Sequence, residues 1–254
     1  MLIRVLTYNI LDGGKGREKY ILEVIQSVKP DVVVVQEVIN ENILNFLAHR
    51  LQMQLFVEKG KGKRRVGLLS HLPVKNFKSP NITFPMWRNF IEAEIQYQPD
   101  KVFKMFGVHL IANLWVGFEL WRLLEIRYIT KYIQQFSRQL CLLAGDFNTV
   151  APNDKIVKST MPYSLRTILW FQGNQVYRFA IRFLMSFGYI DCYRLKRPNE
   201  DGYTLPPPAP NTRLDYFFVN RAMERQVKDC WVVREPKSVE MASDHYPVVV
   251  ELNL

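Results

Sequence analysis

The chain has 254 residues, 48% of them hydrophobic, and a formal net charge of +10 from 34 basic and 24 acidic residues. That length and composition suit a globular protein with a substantial core, and the basic excess favours polyanionic partners such as nucleic acid, phosphorylated metabolites or anionic lipid surfaces. No stretch approaches the roughly 18 consecutive apolar residues of a spanning helix, and the three widely spaced cysteines give no zinc or disulfide signature. With no repeat, low-complexity tract or Gly/Ser linker, the expectation is one domain over 1–254. Residues 1–10 lack the apolar core of a signal peptide, so a cytoplasmic location is expected; the expected oligomeric state is a monomer.

In chain order, 2–10 read as a strand with Asn9 near its end. Gly13, Gly14 and Gly16 make a loop. Tyr20, Ile21, Val24, Ile25 and Val28 follow at helical spacing and Pro30 stops them. Val32 to Val35 is a β-branched run suited to a strand covered on both faces, and Gln36 and Glu37 come directly after it. A second helix is predicted over 41–51, then short strands over 53–58, 65–71, 74–84, 89–97 and 102–110. Lys59, Lys61, Lys63, Arg64 and Arg65 form a basic cluster read as a solvated hairpin tip. A long amphipathic helix is predicted over 113–136, with Leu120, Leu123, Leu124, Ile126, Ile129 and Ile133 as its apolar residues.

The run Cys141 to Ala144 is a buried strand by composition. Gly145 either ends it or admits a close neighbour, and Asp146 and Asn148 follow. On an extended backbone these two point to the same side. Residues 159–188 are irregular, rich in aromatics and arginines, with a helix expected over 174–187. The Pro-rich 206–210 reads as a rigid extended loop, and strands are predicted over 213–219, 226–234 and 246–253. This order lacks regular βαβ alternation. It suits a four-layer α/β sandwich: two mixed or mainly antiparallel sheets packed face to face with helices outside.

Polar residues recur at the ends of apolar strands: Asn9, Glu37, His109, Asp146, Asn148, Asp215, Asp244 and His245. Each has an ordinary reading. Asn9 and Asp146 suit turns, His109 suits a satisfied core histidine, Asp215 could pair with Arg213, and Asp244 could cap a turn. Their shared placement gives a second reading. Carboxylates crowded at converging strand ends need compensation, and a hard divalent cation with oxygen ligands supplies it. Nothing has the HExxH or Cys/His spacing of zinc.

In this order the motifs resemble the endonuclease/exonuclease/phosphatase superfamily. They are Thr7-Tyr8-Asn9-Ile10, Pro30-Asp31 through Gln36-Glu37-Val38, Val66-Gly67-Leu68-Leu69-Ser70, Gly107-Val108-His109-Leu110, Gly145-Asp146-Phe147-Asn148, Arg213-Leu214-Asp215-Tyr216-Phe217 and Ser243-Asp244-His245-Tyr246-Pro247-Val248. The resemblance implies a Mg²⁺-dependent phosphoric ester hydrolase, with Mn²⁺ as the other candidate ion. By it, Glu37 is the principal metal ligand, with Asn9 beside it and Asp244 as a second acid. Asp146 orients or deprotonates the attacking water, Asn148 holds a phosphate oxygen, and His109 contacts phosphate. His245 is protonated beside the oxygen where charge builds, held by Asp215. Arg88 is a weaker match for a phosphate contact. Two positions depart from the family pattern: Leu11 stands where relatives place an acid, with Asp12 one later, and Ser70-His71 replaces a common Ser-Arg.

Arg166 and Trp170, in the segment between two motifs, are the substrate-binding candidates. Three functions follow. The first is a nuclease cleaving phosphodiesters in nucleic acid by in-line attack of water. The second is a phosphatase or phosphodiesterase on a small metabolite or lipid headgroup of the inositol phosphate or sphingomyelin type. The third is a non-catalytic polyanion-binding module.

Overall fold

The computed structural model describes residues 1–59, 64–80 and 90–254. In chain order the elements are β1 (Leu2–Asn9), α1 (Glu18–Val28), β2 (Val32–Val38), α2 (Asn42–Leu51), β3 (Gln54–Val57), β4 (Arg65–Ser70) and β5 (Val74–Lys78), then β6 (Ile91–Gln98), β7 (Lys101–His109), α3 (Val116–Ile133) and β8 (Cys141–Asp146). After these come α4 (Tyr163–Phe171), α5 (Phe179–Ser186), β9 (Ile190–Asp191), α6 (Cys192–Lys196), β10 (Asp215–Val219), β11 (Val227–Val232), α7 (Val239–Ala242) and β12 (Val248–Asn253).

Among the described residues the strands form two six-stranded sheets, ordered β11-β12-β1-β2-β4-β3 and β5-β6-β7-β8-β10-β9. Each has one parallel pair at its centre, β1 with β2 and β7 with β8, and its other pairings are antiparallel. The expected four-layer α/β sandwich is therefore the fold.

Strand alternation builds the layers. Ile3 and Val5 of β1 and Val32 and Val34 of β2 face the second sheet, meeting Ile91, Ala93, Phe103, Met105, Leu142, Ala144 and Phe217. The alternate residues Leu6, Tyr8, Val33 and Val35 pack outward against Ile21, Val24 and Ile25 of α1 and Leu44 and Leu47 of α2. On the other side Phe106, Val108, Leu143 and Phe218 meet Ile126, Ile129 and Ile133 of α3 and Ile181 and Leu184 of α5. Val32–Val35 reads as unbroken valine because both its faces are covered.

Gly145 does not end β8. It sits inside the strand at φ +146°, where a Cβ would lie 2.0 Å from the Val108 carbonyl oxygen of β7. The glycine lets two parallel strands come together one residue before Asp146. Gly145→Ala is expected to cost about 3 kcal/mol or more through overpacking and backbone strain, read as a lower midpoint in denaturant unfolding.

Several expectations change. The helix expected from 113 starts at Val116, because Arg122 donates to the Ile111 and Asn113 carbonyls and holds those residues in a loop. Its polarity is also reversed over the first turns: Glu119, Arg122 and Glu125 are buried, while Leu120 and Leu124 face outward. The segment 159–188 holds two helices, α4 and α5, in place of one over 174–187. The prolines of 206–210 do not extend. Asn211 N and Thr212 N both donate to the Leu205 carbonyl, closing a bend. Strands predicted over 74–84 and 89–97 are seen as β5 and β6, and 81–89, including Arg88, lie outside the described residues.

Candidate active site

β1, β2, β7 and β8 all deliver their carboxyl ends to one end of the sandwich. β10 and β12 run antiparallel to their neighbours β8 and β1, so they begin there. In the second sheet His109, Asp146 and Asp215 stand side by side in register across β7, β8 and β10. All three are buried and belong to the alternation that faces the first sheet.

From the first sheet comes Asn9, whose Nδ2 lies 3.0 Å from Asp146 Oδ2 and 3.5 Å from Glu37 Oε1. Its amide oxygen accepts from Leu11 N at 3.0 Å. Glu37 arrives by a different device. Alternation after Val33 and Val35 would send it outward into the helical layer. Instead β2 carries one extra residue against β4 between Val35 and Val38, and Glu37 takes φ +63°. This bulge turns the carboxylate into the cleft. There Asp12 N donates to Oε2 at 2.7 Å, and His109 Nε2 lies 3.9 Å from Oε1 and 3.6 Å from Asp146 Oδ2.

Asp146 and Asn148 meet, though not by strand alternation. β8 ends at Asp146 and Asn148 has φ +50°. Asp146 Oδ1 accepts Asn148 N at 2.8 Å, and Asn148 Nδ2 donates to Asp146 Oδ2 and to the Leu110 carbonyl, each at 3.0 Å. The aspartate is both a turn residue and a cleft acid. Burial and the neighbouring Asp215 carboxylate push its pKa up to about 7, against His245, the Asn148 N–H and Asn9.

His245 Nδ1 lies 2.8 Å from Asp215 Oδ2, with Nε2 4.0 Å from both Asp146 and Asp244. Burial opposes a charge on the ring. The carboxylates of Asp215, which also hydrogen-bonds the ring, Asp146 and Asp244 together outweigh it and raise the imidazole pKa to about 10. Ser243 fixes this corner: its hydroxyl donates to the Asn9 carbonyl at 2.6 Å and accepts His245 N at 3.2 Å. Asp215 does not pair with Arg213, the ordinary reading of that motif. Arg213 is buried between Asp154 (2.7 Å) and Asp191 (2.5 Å), 4.4 Å from the centre of the Tyr216 ring. Replacing Arg213 with Met leaves the buried Asp191 without its cation, while Asp154 keeps Arg194 at 2.8 Å, and is expected to cost about 3–5 kcal/mol, visible as a large fall in calorimetric Tm.

The sequence pattern of the Endonuclease/Exonuclease/phosphatase family matches residues 6–245. The chain belongs to that family. Members of the endonuclease/exonuclease/phosphatase family are phosphoester hydrolases. Among curated proteins, none matches the sequence. Solved structures of similar fold include an AP endonuclease from Archaeoglobus fulgidus, at TM-score 0.77 and 18% identity, covering 99% of this chain and 100% of that one. A 3'-5' exonuclease (NExo) from Neisseria meningitidis gives 0.75 at 18%, with the same coverage. Truncated Caenorhabditis elegans TDP2 gives 0.67 at 15%, covering 100% of this chain and 98% of that one.

The donor set suits a hard cation. Glu37, Asp146, Asp215 and Asp244 bring carboxylate oxygens to one end, and Asp215 Oδ1 is buried without a hydrogen-bond partner among the described residues. Ligand atoms of Asp146, Asp215 and His245 lie within 4.8 Å of one another. His245 is the poor member of that group, because Asp215 already holds its Nδ1 and the raised pKa keeps the ring protonated. Asp244 stands at the mouth with its side chain 43% exposed.

Two expected substrate contacts lie elsewhere. Arg166 and Trp170 are on α4 and line a hollow of about 610 Å³ with Lys158, Tyr163 and Phe171; none of the clustered acids or histidines borders it. One contact in the cleft was not expected. Arg64, just before β4, lies 2.5 Å from Asp12 and 3.5 Å from Glu37. Its only sign in the sequence is its place in the basic run before Arg65.

Proposed function

We propose that this chain is a Mg²⁺-dependent phosphodiesterase (Mn²⁺ serving in its place) that cleaves nucleic acid by in-line attack of water. The observation that carries this reading is the meeting of Glu37, His109, Asp146, Asp215 and His245 in one cleft between the sheets. Glu37 and Asp244, with Asn9 beside them, would hold the ion, and the Asn9 amide nitrogen would keep Glu37 and Asp146 in place. The bound ion supplies Lewis-acid stabilisation of the phosphate oxygens. Asp146 orients the attacking water and accepts its proton, Asn148 and His109 position the phosphate, and His245, charged by Asp215, faces the oxygen where negative charge grows. No covalent intermediate with the protein is expected, and a monomer is the active unit.

The basic balance and the nuclease-like neighbours support nucleic acid as substrate. A second reading, a phosphodiester in a lipid headgroup, is favoured by the exposed apolar side chains of α3 and α4. The test offers plasmid, single-stranded and abasic DNA, inositol phosphates and sphingomyelin to the protein with Mg²⁺, beside Asp146→Ala. Hydrolysis of DNA above that control is expected. Lipid turnover with inert DNA would select the second reading. Chelation with EDTA should remove activity and added Mg²⁺ restore it; turnover in EDTA would defeat the metal assignment.

A further inference from the structure

The helices over the second sheet carry an outer surface unlike that of a water-facing layer. α4 reads Tyr-Ser-Leu-Arg-Thr-Ile-Leu-Trp-Phe, yet among its residues only Leu169 is buried. Tyr163 is 83% exposed, Trp170 67% and Phe171 65%. A helix apolar on most sides normally lies inside a protein. α3 adds to the anomaly. Its first turns bury Glu119, Arg122 and Glu125 and present Leu120 and Leu124 to the outside, with Trp115 exposed just before it. The two helices adjoin at their ends: Gln172, which follows α4, accepts Val116 N at 3.2 Å and donates to the Leu114 carbonyl at 3.3 Å. Phe171 and Trp115 therefore flank one junction, and both helices follow loops from the cleft ends of β7 and β8.

Charge on this face has one sign. The acids between Leu110 and Ile190 are Glu119, Glu125, Asp146 and Asp154, and each is buried. Arg127, Lys131, Lys155, Lys158, Arg166 and Arg182 in the same span are exposed. On α3 the outward stripe runs Leu120, Leu124, Arg127, Lys131 at helical spacing, apolar and then basic. Arg166 stands between Tyr163 and Trp170 on α4. Apolar area ringed by cations is the pattern of an element lying in the headgroup region of an anionic bilayer, where aromatic rings sit at the interface and cations meet lipid phosphates.

We propose that the outer face of α3 and α4 docks this protein onto the surface of anionic membranes. Nucleic acid accounts for the cations but offers nothing for Leu120 and Leu124, which need an apolar phase. The docking surface is separate from the acid–histidine cleft and does not depend on which ester is cleaved.

The test is co-sedimentation with phosphatidylcholine vesicles with and without phosphatidylserine, read together with the shift in tryptophan emission. Binding that requires phosphatidylserine and weakens with salt is expected. Trp170→Ala/Phe171→Ala and, separately, Leu120→Gln/Leu124→Gln should each lower partitioning by about tenfold or more. Asp146→Ala should bind as wild type does, so failure of docking and failure of the hydrolytic assignment are told apart. Absence of sedimentation with phosphatidylserine vesicles would overturn the proposal. So would equal binding by both double variants, which would reduce the effect to net charge. A dimer in sedimentation velocity that the variants dissolve, or protection of Trp170 by oligonucleotide alone, would assign the face to a second copy or to nucleic acid instead.

Discussion

Asp146→Asn is expected to fold normally and to lose turnover by about a thousandfold or more, the scale of a positioned proton acceptor removed together with its charge. Asp146 is the hub of the cleft. It accepts from Asn9 and from both the backbone and side chain of Asn148, stands in register with His109 and Asp215, and lies 4.0 Å from His245 Nε2. The amide keeps the shape and removes the charge, so activity is lost without a cavity. Stability should move the other way. The folded pKa of Asp146 is raised to about 7 from an ordinary 3.8, so the folded state holds the proton more tightly than the unfolded chain. Its contribution therefore falls as pH rises from the ordinary carboxylate range through about 7. Melting curves in EDTA should show wild type losing stability over that window and Asp146→Asn losing less. A variant whose turnover stays within about tenfold of wild type would remove Asp146 from the chemistry.

His245→Ala should lower turnover by about two to four orders of magnitude, and Asp215→Asn gives the sharper test. In wild type the ring stays charged up to about pH 10, because Asp215, with Asp146 and Asp244, outweighs burial. Its folded pKa is above the unfolded value, so its contribution to stability is fully present below pH 6.5 and lost as pH rises through about 10. If the imidazolium is needed, kcat falls on the alkaline side near pH 10. Asp215→Asn keeps the ring and removes the charge that holds its proton, so this limb should shift several units towards the ordinary histidine value of about 6.5. A profile for Asp215→Asn that overlays wild type would separate Asp215 from His245 function.

Much of this architecture could be read from residue patterns. Val32–Val35 has the β-branched density of a strand covered on both faces, and it is one. Acids and histidines following such runs marked the end of the sandwich where six strands converge. What escaped depends on contacts distant in sequence. Glu37 reaches the cleft only because β2 bulges against β4, and no local signal announces a bulge. Arg64 reaches Glu37 through that same pairing. In α3 the apolar spacing gave the helix but not its rotation: Glu119 and Arg122 bind one another and also cap Ala180 N and the 111–113 loop, a destination invisible from the helix alone. α4 was missed because most of its apolar residues, Leu169 apart, have no core to face. Asp146 and Asn148 were rightly joined for the wrong reason, a turn taking the place of an extended backbone.

The strand that comes last in the sequence lies between β11 and β1 in the first sheet, and His245 immediately precedes it. While a ribosome is still adding that segment, Glu37 and Asp146 have been made but their imidazole partner has no frame to hold it. On the proposed reading of the cleft, its acids and its imidazole share one frame only once β12 has paired with β1, the first strand made, and with β11, the strand just before it.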